Sequence, residues 1–496
     1  MKYWFLLVLL WAGSRQPSSA QRLSYAIRAD KHTPNALRVA LTYDTADTTA
    51  TVFRYANDNW GETALGACLL EVQANVPVQR KTVGDWVLLT AHHRPRQQVR
   101  LRYLIRPDRT DTLRYERTYR PIMEQGYFHV YGFGLFVQPT RYWTKAAAQQ
   151  AVRVRWQLPP EWHLLTSFAP QTARRVVVQG RASLLESSVF AGGALQVRAL
   201  PAGRGPVWLA TRPFQNLVLD SAARHLQVAV RAQRTFWRDS SQASLAVTLL
   251  PTYERQPADL HRRHVSVSGT ALLQSFSAFA TDNAGPVIAE RVDYLFFHEL
   301  MHQWIGKQIR IRHEERQYWF SEGFTEYFQT QLRLHTQVVT PAQYVQEINR
   351  DFVQALYHSP VRNAPNDSIT HHHFWTNQDY EKLPYRRGFL FALYLDTHLK
   401  QTTPYSLADC LRLLLARSYT THKQGFTDPE LLALIREVTG FDPTPAYQRY
   451  IQQGQAIDFA QASLPPGLRV QPAPDATPLF ELAPAQSEAF YQFMVR

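Results

Sequence analysis

The stretch from Phe297 to Phe328, FHELMHQWIGKQIRIRHEERQYWFSEGFTEYF, restricts the fold more tightly than any other part of this chain. It opens on His298-Glu299-Leu300-Met301-His302, and the surrounding apolar residues Ile288, Val292, Leu295, Phe296, Leu300 and Trp304 recur with helical spacing. Histidines four apart on one helix share a face, so their imidazoles can converge on a single ion. A third ligand is needed. Glu322 is the best candidate, with nineteen residues between it and His302, at the start of a second helical run, SEGFTEYFQTQL. His298, His302 and Glu322 together would hold one Zn²⁺ and leave a coordination position open for water. Glu299 directly follows the first ligand. It is therefore placed to take a proton from that water during attack on a carbonyl and to deliver it to the leaving amine. The plainer alternative is that the histidines pack as core residues and Glu322 only favours a helix N-terminus.

HELMHQW, then WFSEGF, and later Tyr385-Arg386-Arg387-Gly388-Phe389 resemble the gluzincin zinc metallopeptidases, a thermolysin-like group. The alanyl aminopeptidase and leukotriene hydrolase branch of that group reads H-E-x-x-H-x-W, then an E-G-F helix and Y-x-K-G. His302-Gln303-Trp304-Ile305-Gly306-Lys307-Gln308-Ile309-Arg310 is closer to the glycyl aminopeptidase branch, which often carries a PDZ domain. The spacing from His302 to Glu322 is one residue longer than in the alanyl branch.

The resemblance implies that Tyr385 donates its phenolic hydrogen to the oxyanion of the tetrahedral intermediate. A phenol suits that task because it stays protonated at working pH. The resemblance also makes Tyr380 a second active-site tyrosine, and Arg387 stands where a lysine is usual. Glu326, four residues after Glu322 and on the same helical face, is a candidate to orient a ligating histidine. Where the aminopeptidase branches carry a glutamate that binds the substrate's amino group, this chain reads Gly269-Thr270-Ala271-Leu272-Leu273-Gln274, without an acid. Asp282 or Glu290 would have to substitute, so the choice between aminopeptidase and endopeptidase stays open.

The N-terminus pairs Lys2 with an apolar run from Trp4 to Trp11 and the small residues Ser18-Ser19-Ala20, the pattern of a leader peptide over residues 1–20. Export to a periplasmic or extracellular location is the expectation. No later segment is apolar enough to span a bilayer. Cys68 and Cys410 are the only cysteines, which excludes a disulfide framework and a cysteine-rich metal site and is read as two buried free thiols. The formal charge of +14 stays strongly positive once Lys2 and Arg15 leave with the leader, which could favour anionic envelope surfaces or acidic substrates. The arginines between Arg94 and Arg120 alternate with apolar residues, as in the solvated face of a strand. No motif supports nucleic-acid binding. The expected partner is a peptide or protein substrate; the oligomeric state is not legible.

With 45% hydrophobic residues, the chain is long enough for several packed domains. Period-two runs broken by proline and glycine predict an antiparallel, sandwich-like β-domain over 21–214. Strands followed by helices predict a thermolysin-like catalytic domain over 215–400, which makes the class multidomain α+β. Within it, 265–269 is the candidate edge strand, with Ser268 and Gly269 lining the cleft and their backbone groups available to an extended peptide. A helical region over 401–465 follows, with a capping box at Thr427-Asp428-Pro429-Glu430. The last stretch, 466–496, reads as a Pro- and Ala-rich tail too short for a PDZ domain. His371-His372-His373 is not read as a second metal site, since adjacent residues point in different directions. The expected function is zinc-dependent peptide hydrolysis; the rival is a catalytically weak relative that binds peptides as a scaffold.

Overall fold

The computed structural model describes residues 22–29, 35–108, 118–124, 126–143, 151–168, 174–179, 183–203, 205–215, 217–239, 244–252, 267–272, 274–282, 288–421 and 425–496. The leader at 1–20, and positions 265 and 266 of the expected edge strand, lie outside them.

The N-terminal part is β-structure, as its alternation predicts. Leu23–Ala29, Leu37–Asp44 and Gln98–Ile105 bury every second residue and expose or half-expose the others over most of their length. They belong to a six-stranded sheet with the order Arg175–Gln179, Ala151–Gln157, Leu23–Ala29, Leu37–Asp44, Gln98–Ile105, Leu69–Ala74. One pairing is parallel, Leu23–Ala29 with Ala151–Gln157, and the others are antiparallel. Two four-stranded sheets share the core this sheet encloses, in which Tyr25, Tyr43, Phe53, Phe128 and Trp156 are buried. Paired sheets with interdigitated inner faces are the expected outcome for strands that are apolar on one side.

The following part begins with a five-stranded mixed sheet, in the order Gln196–Leu200, Val207–Thr211, Leu245–Thr252, Ser275–Thr281, Val267–Leu272. Its inner strands, Leu245–Thr252 and Ser275–Thr281, are buried throughout, and both are continuous apolar or small-residue runs. The sheet reaches back to residue 196, so strands on both sides of position 214 hydrogen-bond into it. Val267–Leu272 is an edge strand, paired only with Ser275–Thr281 among the described residues. Helices then cover the sheet: Leu219–Trp237, Ile288–Met301, Glu314–Ser321, Gly323–His335 and Gln378–Thr402 form one core with it.

The C-terminal region is helical through Leu407–Thr421 and Asp428–Thr439, and the Thr427/Glu430 capping box is formed. The stretch expected to be a tail is folded. Leu468–Pro472 and Pro478–Leu482 pair as a hairpin, and Ser487–Val495 is a helix that buries Phe490 and Met494. Its end is held by Lys400, whose Nζ donates to the Met494 carbonyl at 3.0 Å. A proline- and alanine-rich composition hid a few well-spaced apolar anchors. Cys68 and Cys410 are both buried and free. No described helix is long and apolar enough to cross a membrane.

Candidate metal centre and active site

His298 lies in the last turn of the Ile288–Met301 helix, and His302 follows just past its end. The chain turns there because Gln303 and its neighbours are pinned. Gln303 Nε2 donates to the carbonyls of Leu272 at 3.2 Å and Ser275 at 2.9 Å, tying the motif to the turn of the edge hairpin. Trp304 Nε1 donates to Asp239 at 2.8 Å, and its ring stacks on Trp237. The helix ends one residue earlier than the motif suggests, yet the two imidazoles still converge, with Nε2 atoms 3.1 Å apart.

Glu322 occupies the break between the Glu314–Ser321 and Gly323–His335 helices. Its Oε2 lies 3.5 Å from His298 Nε2 and 3.4 Å from His302 Nε2. Four ligands set tetrahedrally at zinc distances are separated by about 3.3 Å. The observed triangle of 3.1, 3.5 and 3.4 Å therefore fits an ion of that size without movement of the chain. No other cluster of this kind occurs among the described residues.

The charges agree with the distances. Burial alone would raise the Glu322 pKa, but His302 and His298 outweigh it and hold the carboxyl well below the usual range. Burial likewise disfavours a charge on His298, yet Glu326 and Glu322 outweigh it and raise the ring well above the ordinary histidine value. A site that draws a proton onto His298 in this way is one where a divalent cation can replace that proton.

Glu326, expected behind a ligand, is there. Its Oε1 is 3.2 Å from His298 Nδ1, too oblique for a well-formed hydrogen bond. Tyr294 and Gln329 donate to its other oxygen and fix the carboxylate. On the second ligand, His302 Nδ1 faces the Ile305 carbonyl at 3.3 Å. Each ring thus has an oxygen close to Nδ1, hydrogen-bonded in His302 and ion-paired in His298, while Nε2 faces the candidate ion position.

Glu299 is buried against the edge strand. A Cβ on Gly269 would stand 2.5 Å from Cγ and Oε1 of this side chain, so only glycine lets the strand approach so closely. Burial raises the Glu299 pKa, and the two histidines partly offset the rise. Ser268, the other strand residue singled out from the sequence, has a buried Oγ with no hydrogen-bond partner among the described residues.

Tyr385 reaches the centre because two helices cross at contact distance. A Cβ on Gly388 would collide with the Trp319 carbonyl, and one on Gly323 would collide with Gly388. These glycines bring the Gln378–Thr402 helix against the one bearing Glu322. The Tyr385 ring then stacks on His298 with centroids 6.1 Å apart. Burial, then the charges of Glu322 and Glu381, push its pKa well above the phenolic value, so it remains a donor. Arg387 lies behind it, and its Nη2 donates to the carbonyls of both Arg362 and Ala364, at 2.9 and 2.8 Å.

Tyr380 sits differently: its ring stacks on His373, 4.7 Å away, within the helix start capped by Asn377. Asp282, considered as an amino-group ligand, accepts from the Gln215 backbone N–H at 2.8 Å, and Glu290 is exposed in the first turn of its helix. Leu272, in the acid-lacking segment, is packed in the core of the N-terminal domain.

One residue was not legible in the sequence. Tyr119, from the N-terminal domain, accepts a hydrogen bond at its hydroxyl from Thr270 Oγ1 at 3.0 Å. Burial pushes the Tyr119 pKa up to about 12, and Glu299, Glu381 and Glu322 all act on it in the same direction. The N-terminal domain therefore reaches the cleft at the edge strand.

Residues 229–441 match the family model described as "Peptidase family M1 domain". No curated protein sequence matches significantly. Among solved structures, an aminopeptidase N family protein from Idiomarina loihiensis is similar at 14% identity with a TM-score of 0.74, over 90% of this chain and 79% of that one. An M1 zinc metallopeptidase from Deinococcus radiodurans is similar at 17% identity with a TM-score of 0.53, over 89% and 96%. A mutant of the latter, bound to a Tyr-Ser-Ala substrate, is similar at 17% identity with a TM-score of 0.53, over 88% and 95%. At these identities the solved structures speak for the fold.

Proposed function

We infer that this chain, a zinc metallopeptidase whose residues 229–441 carry the family M1 domain, is exported and hydrolyses peptide bonds next to the Val267–Leu272 edge strand. The observation that carries the reading is the placement of Glu299 between that strand and the His298, His302, Glu322 triangle. Zinc held by these three residues would supply Lewis acidity toward water and a carbonyl oxygen.

The chain's own residues account for the rest. The edge strand offers unpaired backbone N–H and C=O groups to an extended peptide. Glu299 takes a proton from water as the oxygen attacks the carbonyl carbon. It then gives the proton to the amine nitrogen as the C–N bond breaks, and a burial-raised pKa suits both transfers. Tyr385 donates to the oxyanion that develops on the carbonyl oxygen, and its phenol holds its proton through the working range. Glu326 orients His298.

The Tyr119–Thr270 contact favours an exopeptidase. It ties the strand to the N-terminal domain one residue beyond Gly269, where a long substrate would have to continue. Glu381, whose charge acts on both Tyr119 and Tyr385 and which pairs with Lys382 at 2.6 Å, is the candidate partner for a substrate ammonium. In this reading the acid missing from the strand is supplied by the helix of Tyr385.

The test is zinc content together with hydrolysis of a mixed peptide library by wild type and Glu299→Gln. The reading expects zinc in both and cleavage only by wild type, with single residues released from free N-termini. Zinc in both with equal, negligible cleavage would instead leave a peptide-binding scaffold. Sequencing the N-terminus of the protein recovered outside the cytoplasm checks removal of residues 1–20.

A further inference from the structure

The outer face of the six-stranded N-terminal sheet carries a concentration of arginines. Strand register places its outward side chains in rows. One row runs Arg175, Arg155, Ala26, Ala40, Arg102, Gln73 across all six strands. The next runs Val177, Arg153, Ser24, Thr42, Arg100. A third adds Arg28 opposite Arg38. Arg28, Arg100, Arg102, Arg153, Arg155 and Arg175 are exposed, and none is paired with a carboxylate among the described residues. Arg38 on this face pairs with Glu71 at 3.3 Å.

A solvated sheet face ordinarily mixes charge signs, since like charges on neighbouring strands repel. In the first two rows the cations form two blocks, on the Ala151–Gln157 side and on the Gln98–Ile105 side, and Arg28 and Arg38 lie at one end of the strands between them. Between them lie two strands with Ser24, Ala26, Ala40 and Thr42, all too small to interrupt a flat contact. Strand spacing separates the blocks by roughly 14 Å. A single extended acidic peptide would follow one block, whereas a plane of anionic headgroups meets both at once. All the cations in these rows are arginines, whose planar fork matches phosphate oxygens.

We propose that this face docks the protein on the surface of an anionic phospholipid bilayer, a role separate from peptide hydrolysis. The attachment is peripheral and electrostatic, and so salt-sensitive. No apolar insertion is required.

The experiment is co-sedimentation of the full chain with vesicles of phosphatidylcholine alone and with phosphatidylglycerol-rich vesicles, at low and high salt. The comparison protein carries Arg100→Gln, Arg102→Gln, Arg153→Gln and Arg155→Gln, all exposed and outside the catalytic cleft. Expected is binding to the anionic vesicles only, reversed by salt. The variant should partition about six-hundredfold less, at about fivefold for each of the four arginines, with melting temperature and peptide hydrolysis unchanged. Absence of wild-type binding, or equal binding by the variant, would overturn the proposal. So would preferential binding to poly-glutamate competing off the vesicles, which would assign the face to acidic polypeptides.

Discussion

In the proposed reading, His298, Glu299, His302 and Glu322 on the helical wall of the cleft work through charged side chains, whereas Ser268, Gly269 and Thr270 on the strand wall work through backbone and through the lack of a side chain. The helical wall is held by local geometry. Its histidines are four apart, Glu322 sits at a helix junction, and two glycines set the helix crossing that delivers Tyr385. The strand wall is held from a distance, by Gln303 beneath it and by Tyr119 from another domain. Charge places the reaction on one side, and free space on the other decides whether the charged groups can be used.

The helical wall should give the largest losses. Glu299→Gln removes the proton carrier while keeping shape, and about a 10³- to 10⁴-fold fall in kcat is expected with zinc retained. Atomic absorption beside steady-state kinetics checks both halves; loss of zinc in this variant would mean that Glu299 supports the metal rather than the reaction. Tyr385→Phe removes one oxyanion donor and should lower kcat about 10²- to 10³-fold with little change in KM. A comparable rise in KM instead would make Tyr385 a binding residue.

The strand wall is probed by Gly269→Ala, which adds one methyl where Glu299 already lies 2.5 Å from the position of the new carbon. Displacing the general base by about an ångström should cost roughly a hundredfold in kcat with zinc unchanged. Full activity here would show that the strand can move away and that the two walls are not in register. Behind the helical wall, Glu326→Gln should weaken zinc binding about 10- to 100-fold, read by competition with a chelator, because His298 loses its charged partner.

The two walls also differ in how far they could be read from sequence. The candidate ligands His298 and His302, Glu299 beside them, and Glu326 follow from residue types at helical spacing, whereas Tyr385 was singled out only by the family resemblance; the α+β order of the chain follows from two periodicities. Gly269 was visible as a strand residue, but its reason, the approach of Glu299, depends on how sheet and helix pack. Tyr119 and Thr270 are 151 residues apart, and no local pattern announces a pairing set by the docking of two domains. The folded C-terminal hairpin was missed for a similar reason, since Phe480, Phe490 and Met494 are too sparse to show a period and acquire meaning only against the helices they cover.

The smallest effect should come at the end of the strand wall, and it bears most directly on specificity. Thr270→Val removes the hydroxyl that donates to Tyr119 and leaves the phenol without that donor, at a cost of about 1–2 kcal/mol in stability. It leaves zinc, Glu299 and Tyr385 in place, so hydrolysis of short peptides should fall no more than a few-fold. If the contact closes the cleft, the ratio of long, N-terminally blocked peptides to free ones among the substrates should rise. Glu381→Gln should lower that same discrimination from the other side, raising KM for free N-termini about tenfold while blocked peptides are unaffected. A shift with Glu381→Gln and none with Thr270→Val would place end recognition in charge alone. The reverse would place it in the wall between the domains, and so on the side of the cleft where shape, rather than charge, decides.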